Sequence, residues 1–284
     1  GSFNPLHAGH LRMRDIAEKK TGMQTTFEIC ANNADKPPLT FYEIDKTIKQ
    51  FNSNDSWVIT SAGRFSEKAI IALTMTFVII ARQIDLSVAS IIAVSSCVLG
   101  YTTSLGYDTW LVISLTLLSG AICGAFNGAI ITKFAIPSII VTIGTMSLFR
   151  GLAYSFLEDS YYNKFPKLVS NLGGGYLFGY IPYAFLTFII LAIIFAFILH
   201  KTSVGKKIYS IGNNPDAAQY TGIAVDKYTF VLFTLNGLFS ALAAIFLSGR
   251  LSSVRPNIAF GWELEIITMR SEEHTSELQS PMYL

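Results

Sequence analysis

LVISLTLLSGAICGAFNGAII (111–131) carries no charged side chain and is apolar on every face that a helix would present. A soluble amphipathic helix keeps one face polar, so such a stretch belongs in lipid. About 20 residues at 1.5 Å each cross a hydrocarbon core of about 30 Å. FLTFIILAIIFAFIL (185–199) repeats the pattern. Working outward from these two, the sequence predicts membrane segments at 69–81, 86–105, 110–132, 135–157, 176–199 and 228–249, with a further stretch after Arg250 cut short. The fold class expected for the central region is an all-α polytopic membrane bundle of about six transmembrane helices. Small residues in SGAICGAFNGA (119–129) allow close helix approach, which is how bundles pack where lipid removes the hydrophobic driving force. Pro137 and Pro182 fall near segment starts, where a missing N–H costs least.

The composition, 51% hydrophobic and 14% charged over 284 residues, would fill one or two soluble cores if it were evenly spread. It is not: the charge density changes abruptly where RFSEKA (64–69) meets IIALTMTFVIIA (70–81). The net charge of +2 is uninformative, but Lys201, Lys206, Lys207 and Lys227 share one connection, and basic connections stay on the cytoplasmic side. That orientation puts EDSYYNKFPKLVSNLGGG (158–175) outside, Lys133 inside and the turn GYD (106–108) outside. The 69–81 segment then runs from outside to inside, and at about 13 residues it is too short to span unaided. Cys30, Cys97 and Cys123 have no pair spacing and no nearby metal-ligand partners, so reduced, incidental thiols are expected and no metal site. No signal peptide is visible, and a chain opening on Gly1 inside a motif is expected to be a gene fragment.

The stretch before Ala69 reads differently. GSFNPLHAGHLRMRDIAEKK (1–20) offers a Gly-Ser turn, two histidines three apart and a helix N-terminus, whose free N–H groups and positive dipole suit a phosphate. Gly1, Phe3, Asn4, Pro5, His7, Gly9 and His10 together resemble the nucleotide-binding motif of the HIGH-type nucleotidyltransferases. FEICANNADKPPL (27–39) and SAGRFSEKA (61–69) resemble the cytidyltransferase-related branch. The resemblance implies a partial α/β Rossmann-like fragment over 1–69, in which His7 and His10 contact the triphosphate and Asn4 shapes the loop. The family's first strand and its second phosphate-binding motif are absent, so no catalysis is expected from so partial a site. At the other end RSEEHTSELQSPMYL (270–284) resembles the translation of a sequencing adapter and is expected to be a non-native polar tail.

Within the basic connection stands NPDAAQYTGI (214–223). Pro215 can open a helix that Asn214 precedes, Asp216 favours its N-terminal end, Ala217 and Ala218 let another surface come close, and Gly222 can end it. The spacing resembles the docking loop of ATP-binding-cassette importer permeases. ALTMTFVIIARQIDLSVAS (72–90), IPSIIVTIGTMSLFRGLAY (136–154), KTSVGKKIYSIGNNPDAAQYTGI (201–223) and GRLSSVRPNIAFGWELEIIT (249–268) resemble, in order, successive blocks of the ribose, rhamnose and autoinducer-2 type sugar permeases. Arg82 and Gln83 stand where that family pairs glycines, and Ala89 replaces the next glycine. The resemblance implies a permease domain over 70–269, incomplete at both ends, in a bacterial inner membrane. It implies transport without chemistry or a bound cofactor, with ATP used by a separate ATPase subunit. The other implied partners are an external solute-binding protein, a second permease copy or paralogue, and membrane lipid; no nucleic acid is implied.

Asp85 is expected in a break between helices, and Arg150 at an interface or beside a carboxylate. Asn127 and Asn236 lie within helices as candidates for the translocation path or for interhelical hydrogen bonds. Phe185, Phe188 and Phe195 read as packing or lipid-facing rings. Two other functions remain open on sequence: a nucleotidyltransferase judged from the N-terminal fragment alone, and a secondary transporter driven by an ion gradient.

Overall fold

The computed structural model describes residues 12, 14, 18–19, 26–30, 46–51, 56–60, 65–157, 162, 165–177 and 181–263. Asn4, His7, His10 and the whole of 270–284 lie outside the described residues. The chain divides into two units, Gly1–Phe65 and Ser66–Leu284.

In the first unit, β1 (Thr26–Cys30) and β2 (Ser56–Thr60) pair in parallel, from Thr26 opposite Ser56 to Cys30 opposite Thr60. TFEIC and SWVIT are rich in β-branched and aromatic residues, which suit a pleated surface, and parallel pairing requires the long connection that residues 31–55 provide.

The second unit is helical. It runs α1 (Phe65–Ile80), α2 (Val88–Ser104), α3 (Thr109–Phe134), α4 (Ser138–Leu157), α5 (Lys167–Gly174), a short antiparallel hairpin of β3 (Tyr176–Leu177) and β4 (Ile181–Pro182), then α6 (Tyr183–Lys201), α7 (Ser203–Asn213), α8 (Pro215–Tyr220) and α9 (Val225–Leu251). Among the described residues α3, α4, α6 and α9 are long and apolar enough to cross a membrane. The 16-residue α1 and 17-residue α2 are shorter and enclosed. Ile70, Ile71 and Val78 of α1 and Ile91, Ile92 and Ala93 of α2 expose no surface. By contrast α6 buries only Ala184 and leaves Ile193 66% and Phe197 62% exposed, as a lipid-facing helix does. A short inner helix surrounded by protein does not have to match the bilayer, which is how the segment read as too short is accommodated.

The segment boundaries differ from the sequence reading in two informative places. The stretch 176–199 is not one helix: Pro182, extended at φ −60° and ψ 139°, caps α6, and the residues before it form the hairpin. The helix containing 70–80 also begins earlier, at Phe65. Glu67 and Lys68 are buried in its first turn, with the Arg250 guanidinium 3.2 Å from the Glu67 carboxylate and the Lys68 ammonium 5.0 Å from the Trp262 ring centroid. A local charge pattern does not reveal a partner 183 residues away.

The α3–α9 seam organises the bundle. A Cβ on Gly124 would run into the Phe233 carbonyl, one on Gly120 into the Gly237 carbonyl, and one on Gly237 into the Gly120 carbonyl. With Gly128 facing Phe230, α3 presents Gly120, Gly124 and Gly128 at four-residue spacing, the small-residue stripe that permits backbone contact between membrane helices. Gly124→Val is expected to destabilise the protein by about 2 kcal/mol or more, while Gly144→Ala, which meets open space, stays within about 0.5 kcal/mol; denaturant titration in detergent checks both. Arg82, at one of the positions where the resembled family carries glycine, adopts φ +57° with its side chain exposed. Arg82→Gly should raise stability by about 1 kcal/mol in the same measurement, because glycine occupies this region without steric cost.

Candidate functional site

Between α1 and α2 the chain leaves the helix over residues 81–87. Backbone freed there needs partners: the Ile84 amide donates to Ser138 Oγ at 3.1 Å, and Thr142 Oγ1 donates to the Ile84 carbonyl at 3.4 Å, so the start of α4 braces the break.

The break delivers Asp85 to the seam. Its Oδ1 accepts from the Ser87 amide at 2.9 Å and the Ser87 hydroxyl at 2.6 Å, and its Oδ2 accepts from Asn236 Nδ2 at 2.8 Å. Asn236 Oδ1 accepts from Thr74 Oγ1 at 2.8 Å, and Asn127 Nδ2 donates to Ser87 Oγ at 2.7 Å. The carboxylate also sits at the N-terminal end of α2, where the helix dipole favours negative charge. Asp85, Ser87, Asn127, Asn236 and Thr74 are each at most 4% exposed. One network therefore joins α1, the break, α3 and α9. Asn127 and Asn236 each precede a seam glycine, Gly128 and Gly237, so the close backbone approach is what brings their side chains within reach of the break.

In this conformation the network is closed. Asn127 Oδ1 is buried without a hydrogen-bond partner, and every other polar contact just named is internal. The two asparagines singled out as path candidates are brought together around Asp85 rather than spread along an open channel. Sequence reasoning did not single out Ser87 or Thr74. The Asp85–Ser87 spacing is an available signal, since Asp accepts from the backbone two residues on in an Asx-turn.

Arg150 reaches from α4 to the turns after α9. Its Nη1 donates to the carbonyls of Pro256 (3.0 Å) and Ile258 (2.9 Å), and its guanidinium lies 5.6 Å from the Phe260 ring centroid. It ties the turns after α9 to α4. Of the rings, Phe195 packs edge-on against Phe77 and Phe239 at 5.0 and 5.2 Å, and Phe185 lies 6.3 Å from Phe188 and is 45% exposed. Cys97 and Cys123 are buried free thiols. No cluster of metal-ligating side chains occurs among the described residues.

The second feature is the 203–223 connection. The hydroxyl of Thr202 caps α7, whose Gly205, Ile208 and Ile211 are buried. Asn214 Oδ1 accepts from the Ala217 amide at 3.0 Å, Pro215 opens α8, and Gly222 leaves it at φ +84°. Ala218 is buried in a hydrophobic cluster that also holds Phe77, Val78 and Ala81 at the end of α1, Ile208 and Ile211 of α7, and Leu232 and Phe233 of α9. A Cβ on Gly212 would run into the Ile80 carbonyl, so α7 lies directly on the end of α1. Asp216, Ala217 and Gln219 are exposed, and Tyr220 is 93% exposed. The sequence reading did not single out Tyr220.

The family described as "Branched-chain amino acid transport system / permease component" matches residues 58–270. Ribose import permease proteins of Haemophilus influenzae and Bacillus subtilis are 35% and 38% identical over 71% and 70% of this chain. An autoinducer 2 import system permease protein of Escherichia coli is 31% identical over 70% of it. These relatives are transport permeases, not enzymes, and the chain spans 64%, 62% and 58% of their respective lengths. No solved structure matches. The match begins at residue 58, inside the stretch that also resembles a nucleotidyltransferase, and it stops at residue 270, where the polar tail starts.

Removing the amide that donates to Asp85 should be costly. Asn236→Leu is expected to destabilise by about 3 kcal/mol, because it strands a buried carboxylate oxygen, while the Thr74 hydroxyl keeps the Ile71 carbonyl as its acceptor. Asn127→Leu, which gives up one hydrogen bond and an already unpartnered oxygen, should cost only about 1 kcal/mol. Denaturant titration of the detergent-solubilised chain ranks the two.

Proposed function

The chain belongs to the branched-chain amino acid transport system / permease component family of multi-pass membrane proteins, and we propose that it is the transmembrane subunit of an ATP-driven importer for a monosaccharide or related small polar solute. It sits in a bacterial inner membrane with the 203–223 connection on the cytoplasmic side. A separate ATPase subunit binds and hydrolyses ATP, an external binding protein delivers the solute, and a second permease copy or paralogue completes the path. This chain binds no cofactor and performs no chemistry.

The observation that carries the reading is the seating of α8. Its outer surface, Asp216, Ala217 and Tyr220, is exposed, while Ala218 on its inner surface belongs to the hydrophobic cluster that includes the end of α1, on which α7 lies directly. Displacement of α8 by a closing ATPase passes through Ile208, Ile211 and Gly212 to Ile80 and Ala81, four residues from Asp85. The Asp85–Asn236 contact is then the element whose making and breaking distinguishes two bundle arrangements, and ATP binding biases the choice between them.

The first unit, in this proposal, is a partial nucleotidyltransferase-like fragment over 1–69 without activity; the parallel β1–β2 pair supports its α/β character. Residues 270–284 are a non-native tail without function.

Two measurements test the importer reading. A cysteine introduced by Ala217→Cys should react with a membrane-impermeant maleimide in inside-out vesicles and not in right-side-out ones. In proteoliposomes holding the assembled importer, Tyr220→Ala should reduce ATP-dependent sugar uptake about tenfold or more without altering the melting temperature, since the side chain contributes almost nothing to this chain's own packing. Labelling from the outside, or uptake independent of ATP, would remove the reading.

A further inference from the structure

Between the inner ends of α6 and α9, with α7 across its mouth, lies a half-open cavity of about 640 Å³. Phe77, Phe195, Ile198, Leu232 and Leu235 make its walls, and Lys207 and Lys227 stand on its rim. We propose that it holds one anionic phospholipid of the cytoplasmic leaflet, with an acyl chain in the apolar cleft and the phosphate between the two lysines. The inference goes beyond the transport reading and does not depend on which solute is moved.

Three observations lead there. First, the walls are too apolar for a sugar, which needs a dense set of hydrogen-bonding groups, and an apolar cleft of this size open to lipid is filled by what surrounds it. Val231 and Leu235, 42% and 43% exposed, line the side of α9 that the bundle leaves uncovered.

Second, the dimensions suit one leaflet. From Val225 at the start of α9 to Leu235 the helix rises about 15 Å, half a hydrocarbon core of about 30 Å. A single flexible acyl chain can follow that length.

Third, the charge is placed at the right level. Lys207 lies four residues beyond the start of α7, which follows the end of the apolar helix α6, and Lys227 two residues beyond the start of the apolar helix α9. Neither has a carboxylate within ion-pair distance among the described residues, and Lys207 only approaches the Tyr228 ring at 5.7 Å from its centroid. Two uncompensated ammonium groups above an apolar cleft complement a phosphate carrying acyl chains. Gly222, Ile223 and Ala224 also line the site, so its occupant touches the segment that joins α8 to α9.

The test is native mass spectrometry of the full delipidated chain titrated with phosphatidylglycerol or phosphatidylcholine. Selective retention of one phosphatidylglycerol is expected, with affinity falling about fivefold for each of Lys207→Ala and Lys227→Ala and unchanged for Lys133→Ala. Leu235→Trp, which fills the cleft and leaves both lysines, should abolish retention. Equal binding of the two lipids by the unaltered chain overturns the proposal whatever the variants do. So does full competition by glycerol phosphate, which would mean a free anion site, or disulfide-linked dimers of a Val231→Cys chain, which would mean that a second copy covers the cleft.

Discussion

The direct contact of α3 and α9 backbones at Gly120, Gly124 and Gly237 is the constraint on which the rest of the bundle depends. Lipid is as apolar as leucine, so two helices gain little by hiding leucine from it; they gain by fitting together. Glycine on both sides lets the axes come close enough for short polar side chains to reach across. Asn127 and Asn236, one residue from seam glycines, use that proximity to meet Ser87 and Asp85. With bulkier residues at the seam, the four-element network would have nothing to hold it together.

A second consequence is the division of labour among helices. Long apolar α3, α4 and α6 face outward, and the polar, interrupted α1–break–α2 segment lies within. Non-helical backbone at membrane depth is tolerated only where protein, rather than lipid, surrounds it, and residues 81–87 meet that condition through Ser138, Thr142 and their own Asx-turn. Arg82, with its side chain exposed, holds its left-handed conformation at the start of the break. The same segment leads directly from the end of α1, where α7 and Ala218 press on it, to the buried carboxylate, so the break links the surface connection to the centre of the bundle.

What the sequence made legible was local. Uniformly apolar blocks located α3, α4, α6 and α9 to within a few residues apart from the start of α6, and small residues at 119–129 pointed to close packing. The turn chemistry of Asn214, Pro215 and Gly222 described a short helix, and that is where α8 forms. What stayed hidden depended on distant partners. Glu67 and Lys68 read as the charged edge of a soluble segment because Arg250 and Trp262 lie far along the chain. The hairpin before Tyr183 was absorbed into an apolar run, since hydropathy weighs Pro182 and the preceding glycines too lightly. Asp85 and Asn236 were each noticed, yet nothing in their spacing says that they touch. The described residues do not reach Asn4, His7 or His10, so that motif rests on resemblance alone.

The Asp85–Asn236 contact also fixes an order of biogenesis. Asp85 leaves the ribosome 151 residues before the amide that will donate to it, an interval of roughly 8–30 s at ordinary synthesis rates of about 5–20 residues per second. Throughout that time Asp85 has only its local Ser87 partners, and an acidic group so placed is costly in hydrocarbon. Entry of α1 and α2 into the bilayer costs less once α9 supplies its amide. Tertiary assembly thereby favours late insertion of the central helices.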